Sequence, residues 1–163
     1  MERSQQEGVA KEAALRAEQA RAAGLVEQVA QEAKGKVKIE LRAYRDLAAR
    51  AEAALQTAIV EIDAGREVTA LVYVSQGKAL ADDARSKVTS MRAVGGTVYE
   101  SRAAELATAA GDMVGAAKHL RTAILYIGEQ GSSDFTTAFS AGKAALASGS
   151  RGLASVSAFI AGE

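Results

Sequence analysis

Few side chains in this sequence stand at spacings that catalysis could use. The single histidine, His119, has no second histidine with which to share a metal ion, and an alanine stands where the Glu-x-x-His pair of di-iron bundles needs its glutamate. Ser75 with Lys78 and Ser140 with Lys143 match the serine–lysine motif of penicillin-binding enzymes. The companion motifs of those enzymes are missing, so we expect no catalytic role for either pair.

Two glycine–lysine steps and one pair of aspartates complete the candidates. The steps at 77–78 and 142–143 resemble the end of a phosphate-binding loop, but they lack its earlier glycine and its following serine or threonine. Asp82 and Asp83 are adjacent, so on a helix they point about 100° apart and do not converge on one ligand. We therefore predict no catalytic, cofactor-binding or metal-binding residue, and we expect that the chain is not an enzyme.

Tyrosines are a further kind of candidate, because they are frequent at the centres of interfaces. Tyr44 falls on an apolar helical stripe, which predicts a core position. Tyr73, Tyr99 and Tyr126 each stand beside such a stripe. We expect these three to pack at the boundary of a core.

The elements that must position all these residues are helices. Apolar residues of the first helix recur about every 3.6 positions, the period of a straight α-helix, and similar stripes predict four helices over about 4–64, 66–94, 97–128 and 133–161. The stripe positions are Val26, Val29, Ala33, Val37, Leu41, Tyr44, Ala48, Ala51, Leu55, Ala58 and Ile62; Val68, Val72, Leu80, Ala84, Val88, Met91 and Val94; Leu106, Ala110, Met113, Ala117, Leu120, Ile124 and Ile127; and Phe135, Phe139, Gly142, Leu146, Leu153, Val156 and Ile160.

Glycine marks the turns, because the sequence has no proline. Gly65 suits a left-handed C-terminal cap after the first helix. Residues 128–131 predict another turn, and Ser132 or Ser133 then caps the fourth helix. Gly35 lies inside the first stripe without capping residues beside it, so we favour one long helix; a turn there would instead give a compact bundle of five helices.

The step Gly95-Gly96 predicts a break or a sharp kink between the second and third helices. Thr97 followed by Glu100 matches a capping box, which satisfies free backbone amides at a helix start. If the chain ran on through a kink, the second and third segments together would match the first helix in length, and the last helix would fill the groove between them.

These elements predict one all-α domain over residues 1–163. We expect an elongated antiparallel bundle of three to four helices with one long N-terminal helix, because short connections make successive helices pack antiparallel. The fourth helix carries little charge, which favours burial on most of its sides. Its glycine, alanine and serine residues favour a close approach of its neighbours.

The composition excludes several classes of chemistry and of partner. Cysteine is absent, which excludes disulfide scaffolds and thiol chemistry, and 20 basic residues balance 20 acidic ones, which gives no reason to expect nucleic acid as a partner. The polar N-terminus does not resemble a signal peptide, and no apolar run reaches the roughly 18 residues of a membrane helix. The 38 alanines are typical of helices.

Alanine- and glutamate-rich segments also carry a family resemblance. The segments 12–18 (Glu-Ala-Ala-Leu-Arg-Ala-Glu), 50–55 (Arg-Ala-Glu-Ala-Ala-Leu) and the low-charge stretch 144–149 (Ala-Ala-Leu-Ala-Ser-Gly) resemble the helical surface proteins of African trypanosomes, most of all the glutamic-acid/alanine-rich coat protein of the insect stage. The lack of cysteine departs from the disulfide-bonded members of those coats and fits the alanine-rich class.

The resemblance implies a non-catalytic cell-surface coat protein. Its partners would be copies of itself or neighbouring coat proteins, with insect-host tissue as a further contact, and a lipid anchor on a C-terminal extension would hold it to the membrane. Two alternatives remain. One is a cytoplasmic adaptor bundle that binds partner helices in its grooves. The other is a helical protein that coats lipid or polymer granules.

Overall fold

The computed structural model of the chain describes residues 2–95 and 99–161. Within these ranges the chain is all-α, as predicted, with helices α1 (Glu2–Asp63), α2 (Glu67–Gly95), α3 (Glu100–Leu125) and α4 (Ser133–Ala161). The third helix ends at Leu125 and not near residue 128, because the chain tightens there into a 3₁₀ turn over Ile127–Glu129. Its predicted start at Thr97, and with it the threonine of the capping box, lies outside the described residues.

Helix α1 runs without interruption through Gly24 and Gly35. The long N-terminal helix is therefore confirmed, and the alternative bundle of five short helices is wrong. By its contacts the chain divides into two compact units, Met1–Lys36 and Val37–Glu163. Our expectation of a single domain stays a prediction.

The first unit is the N-terminal part of α1. Every side chain from residue 3 to residue 32 is exposed. Val26 is 71% exposed and Val29 is 64% exposed, so these two stripe positions are not part of a core, contrary to our prediction. Helix propensity supports this segment, since alanine and glutamate are good helix formers.

The second unit is an antiparallel four-helix bundle whose first member is residues 37–63 of α1. Leu55 lies against Gly77 of α2, while Val37 lies against Gly95, so residue numbers rise along one helix as they fall along the other. The buried stripe of α1 from Val37 to Ile62 is the predicted one.

Helix α3 runs parallel to α1 and antiparallel to α4. Its Leu106 carbonyl accepts a hydrogen bond from the Tyr44 hydroxyl of α1 at 2.8 Å. Farther along α3, Leu120 lies against Gly142 of α4, whereas Met113 lies against Gly149. Because α1 is antiparallel to α2, the chain reverses between α2 and α3. The two segments therefore do not run on through a kink, and α4 packs along α3, with Val156 near Leu41 of α1.

The buried face of α2 differs from the predicted one over its first half. Val68 is 78% exposed and Val72 is 49% exposed, whereas Ala70 and Val74 are buried. The reason is the tight contact with α1: a Cβ on the buried Gly77 would lie 2.6 Å from Leu55 Cδ2. Ala70 and Val74 lie on the same face of α2 as Gly77, so this face is buried, whereas Val68 and Val72 lie on the opposite face and meet solvent. From Ala84 to Met91 the buried positions are those predicted.

We predicted that the fourth helix is buried on most of its sides, but the helix buried in this way is α3. Eleven residues of α3 are buried, including the predicted heptad positions from Leu106 to Ile124. Helix α4 buries one face, through Phe135, Phe139, Gly142, Leu146, Leu153 and Val156, and exposes the other; the side chain of Ile160 lies outside the described residues. Low charge misled the prediction, because uncharged serine and threonine are also mostly exposed in proteins.

The turns follow their predicted residues. Gly65 has φ +75°, and the amides of Gly65 and Arg66 donate to the carbonyls of Ile62 and Glu61, which together form a Schellman cap. Ser132 caps α4, since its hydroxyl accepts a hydrogen bond from the Phe135 amide at 3.2 Å. Gln130 Nε2 also donates to the Ile62 carbonyl at 2.9 Å and so ties the second of these turns to the end of α1.

Candidate functional site

One polar concavity of the bundle is a groove between the end of α3 and the start of α4. It is lined by His119, Thr122, Tyr126, Ser133, Asp134, Thr137, Ala138 and Ala141. His119, Ser133 and Asp134 are all exposed, so they meet water and are not enclosed. An exposed groove of this kind lacks the water-excluded, low-dielectric setting that strengthens catalytic electrostatics. His119 therefore occupies a surface position, as expected.

A second groove lies farther along the same two helices. Within this groove, the Ser148 hydroxyl of α4 donates a hydrogen bond to Asp112 Oδ2 of α3 at 2.8 Å. A charge-assisted bond of this length holds the two helices in register. Glu105 and Thr108 complete its polar rim, and Gly152 forms part of its floor. The Ser148–Asp112 pair could not be predicted from the sequence, because the two residues lie on different helices.

The serine–lysine pairs are not built for nucleophile activation. Lys78 Nζ lies 3.2 Å from Asp82 Oδ2, so its charge is directed to that aspartate one turn along α2. Lys143 Nζ lies 4.4 Å from the centre of the Phe139 ring, a cation–π contact. Ser75 and Ser140 are both exposed. The glycines of the two glycine–lysine steps are helical and pack against leucines, so neither step is a loop.

The tyrosines take the predicted positions. Tyr73, Tyr99 and Tyr126 are half-buried against the core. Tyr44 is 1% exposed, and its burial raises the pKa of the phenol to about 12, because the phenolate would lose its solvation. A hydroxyl that stays protonated and bonded to the Leu106 carbonyl has a structural role.

Several charged side chains on the surface form local ion pairs. Arg66 forms two hydrogen bonds with Glu61 beside the first turn, and this contact lowers the pKa of the Glu61 carboxyl. Within the described residues, no cluster of histidine, aspartate and glutamate side chains is arranged to hold a metal ion. No described helix is both long enough and apolar enough to cross a bilayer.

An apolar part of the surface was wrongly predicted to be core. Leu25 is 62% exposed on the first unit, and Val26 and Val29 are exposed beside it. Their spacing predicted a core stripe, and the structure leaves that stripe in contact with water. The shortage of large apolar residues upstream of Val26 was the available signal.

Comparisons with known proteins add no identification: no family model, no curated protein sequence and no solved structure matches this chain.

Proposed function

We propose that this chain is a non-catalytic cell-surface coat protein, as its resemblance to the glutamic-acid/alanine-rich coat protein of insect-stage African trypanosomes implies. The observation that supports the proposal is the bundle surface, where opposite charges alternate and pair within short distances. Lys78 with Asp82 and Arg102 with Glu105 pair within one helix, at 3.2 Å and 3.1 Å. Such a surface, on a chain of zero net charge, allows copies to crowd without strong mutual repulsion.

The interior is consistent with a scaffolding role. Among the described residues, none of the buried side chains is charged, and the core is made of alanine, valine, leucine and a few larger residues. A bundle of this kind presents a stable outer surface. In the proposal, neighbouring copies are the main partners, insect-host tissue is an outer contact, and a lipid anchor on a C-terminal extension holds the protein to the membrane.

The test is the location of the protein on intact cells of the organism that encodes it. An antibody against this bundle should label unpermeabilised cells, and a phospholipase that cleaves lipid anchors should release the antigen into the medium. Labelling that requires permeabilisation would overturn the proposal. Labelling of intact cells without release by the lipase would contradict the anchor alone.

A second candidate is an intracellular adaptor that binds partner helices. The exposed side chains of Leu25, Val26 and Val29 favour it, because apolar residues at helical spacing are the usual anchors of helix–helix recognition. The same antibody experiment separates the two candidates, since an adaptor would be labelled only after permeabilisation.

A further inference from the structure

We propose that the N-terminal helical segment binds the same segment of a second copy, side by side and antiparallel. The contact surface is the 22–33 face, which we define as Ala22, Leu25, Val26, Val29 and Ala33. This inference does not rest on the surface-coat proposal, because either candidate function could use a self-associating chain.

The 22–33 face is the most apolar part of the N-terminal segment of α1, whose side chains from residue 3 to residue 32 are exposed. At about 100° per residue, its five members fall within an arc of about 100°. Leu25, Val26 and Val29 are between 62% and 71% exposed, although each would gain from leaving water. A stripe of this width matches the seam of a two-helix pair.

The charges beside the face indicate a second copy as the occupant. Arg21 and Glu32 lie on one edge of the face, while Glu18 and Lys36 lie just beyond its two ends. The other edge carries Ala23 and Ala30, which let a second helix approach. Each basic residue thus has an acidic counterpart at the opposite end of the same face, so the face is complementary to a reversed copy of itself.

Antiparallel pairing satisfies both the apolar and the charged residues. When Val26 lies opposite Val29 of the second copy, the reverse contact follows by two-fold symmetry. At a rise of 1.5 Å per residue, Arg21 then lies about 3 Å along the axis from Glu32 of the second copy, and Glu18 lies about 1.5 Å from Lys36. Parallel, in-register pairing would set Arg21 and Glu32 against the alanine edge of the second copy, and it would bring the two Glu18 side chains together and the two Lys36 side chains together near the seam. The charges therefore select the antiparallel orientation, while the apolar residues supply the affinity.

The first experiment measures average mass against concentration for the whole chain by sedimentation equilibrium. We expect the mass to rise toward that of a dimer. The double variant Val26→Lys/Val29→Lys should weaken association at least about tenfold, because it places charges in the apolar seam. The control is Val9→Lys, since Val9 is 67% exposed and points roughly away from the 22–33 face. A monomer at all concentrations, or equal effects of both variants, would overturn the proposal.

The charge pattern gives a second, independent test of the same contact. Arg21→Glu or Glu32→Lys alone should weaken association about two- to fivefold, and the two together should restore it, because the exchanged pair is again complementary. Far-ultraviolet circular dichroism of each variant checks that helix content is unchanged. If the double variant is as weak as the single ones, the antiparallel contact is wrong.

Orientation can be read from spin labels, because the chain has no native cysteine to label. Nitroxides on Gln28→Cys should lie under about 20 Å apart in the dimer, and those on Ala14→Cys about 40 Å apart. Parallel pairing would give short distances at both positions, and this result would exclude the antiparallel arrangement.

Discussion

Two parts of one helix behave differently in this chain. Residues 3–32 and residues 37–62 of α1 share a sequence rich in alanine, glutamate and arginine, with apolar side chains at helical spacing. The first part is exposed throughout, whereas the second buries Leu41, Tyr44, Leu55 and Ile62 in the bundle core. Apolar spacing therefore defines a helix and one of its faces, but it does not show whether another element covers that face.

The difference in packing should appear most strongly in local stability. Amides of residues 37–62 open only with the bundle, whose unfolding costs at least about 5 kcal/mol, while those of residues 3–32 open by local fraying. We expect amide hydrogen exchange to be at least about a thousandfold faster in the first part, as measured by mass spectrometry of peptides. The measurement belongs at low protein concentration, where self-association is smallest. Equal protection of both parts would mean that they are not energetically distinct.

A matched pair of leucine substitutions compares the same two parts at single positions. Leu55→Ala should lower the free energy of unfolding by about 2–5 kcal/mol, because Leu55 is fully buried against Gly77 and leaves a cavity. Leu15→Ala in the exposed part should change it by less than about 0.5 kcal/mol, since Leu15 is 56% exposed. Urea unfolding of the bundle measures both. A comparable loss for Leu15→Ala would show that this side chain is packed.

Glycine-to-alanine substitutions extend the comparison, because the same substitution should destabilise the bundle and stabilise the exposed part of α1. Gly152→Ala places a methyl group against Ala109 of α3 at less than contact distance, and we expect a net loss of about 1–2 kcal/mol in the unfolding of the bundle. Gly24 has open space around its Cβ position, so Gly24→Ala should raise helix content and gain about 0.5–1 kcal/mol locally. Urea unfolding and circular dichroism give the two readouts. Stabilisation by Gly152→Ala would contradict the tight contact of α3 with α4.

Tyr44→Phe should lower the free energy of unfolding by about 1 kcal/mol, because it removes one buried hydrogen bond and keeps the ring. The effect should depend on pH. The unfolded chain loses the phenolic proton near pH 10, whereas the folded chain keeps it up to about pH 12, so Tyr44 contributes its full stability below pH 10 and loses it as the pH rises through 12.

Urea titrations at pH 8 to 12 should therefore show a steeper loss of stability between pH 10 and 12 for the native chain than for Tyr44→Phe. Parallel curves for the two proteins would mean that the hydroxyl of Tyr44 is not kept protonated by its burial.

Local features of the fold could be predicted from the sequence, because single residues decide them. Gly65 and Ser132 cap helices through their own backbone and hydroxyl groups, and the continuous spacing through Gly35 indicated one helix. Features that depend on contact with a second helix could not be predicted from the sequence. Val68 and Val72 are more apolar than Ala70, yet the face of α2 that contains Gly77 is the one that packs against α1, and Ala70 lies on that face.

On the candidate surfaces, too, the positions of single residues could be predicted, but contacts between helices could not. The surface position of His119 and the boundary positions of three tyrosines were predictable from their place beside an apolar stripe. The bond of Ser148 to Asp112 depends on the register of α3 against α4, which one sequence does not reveal. The expectation that the chain has no catalytic residue stays a prediction.

The size of Tyr44 also bears on the uniqueness of the fold. Alanine is small and recurs along both α1 and α3, so alanine contacts alone distinguish weakly between one alignment of these helices and another displaced by a helical turn, about 5.4 Å. Tyr44 is the largest of the fully buried side chains among the described residues, and its ring fits only where the residues around it leave that volume. Tyr44 thus selects one alignment, and Tyr44→Ala should give doubled or broadened signals along α3 in nuclear magnetic resonance spectra, beyond its cost in free energy. Single sharp signals in this variant would show that other side chains fix the alignment.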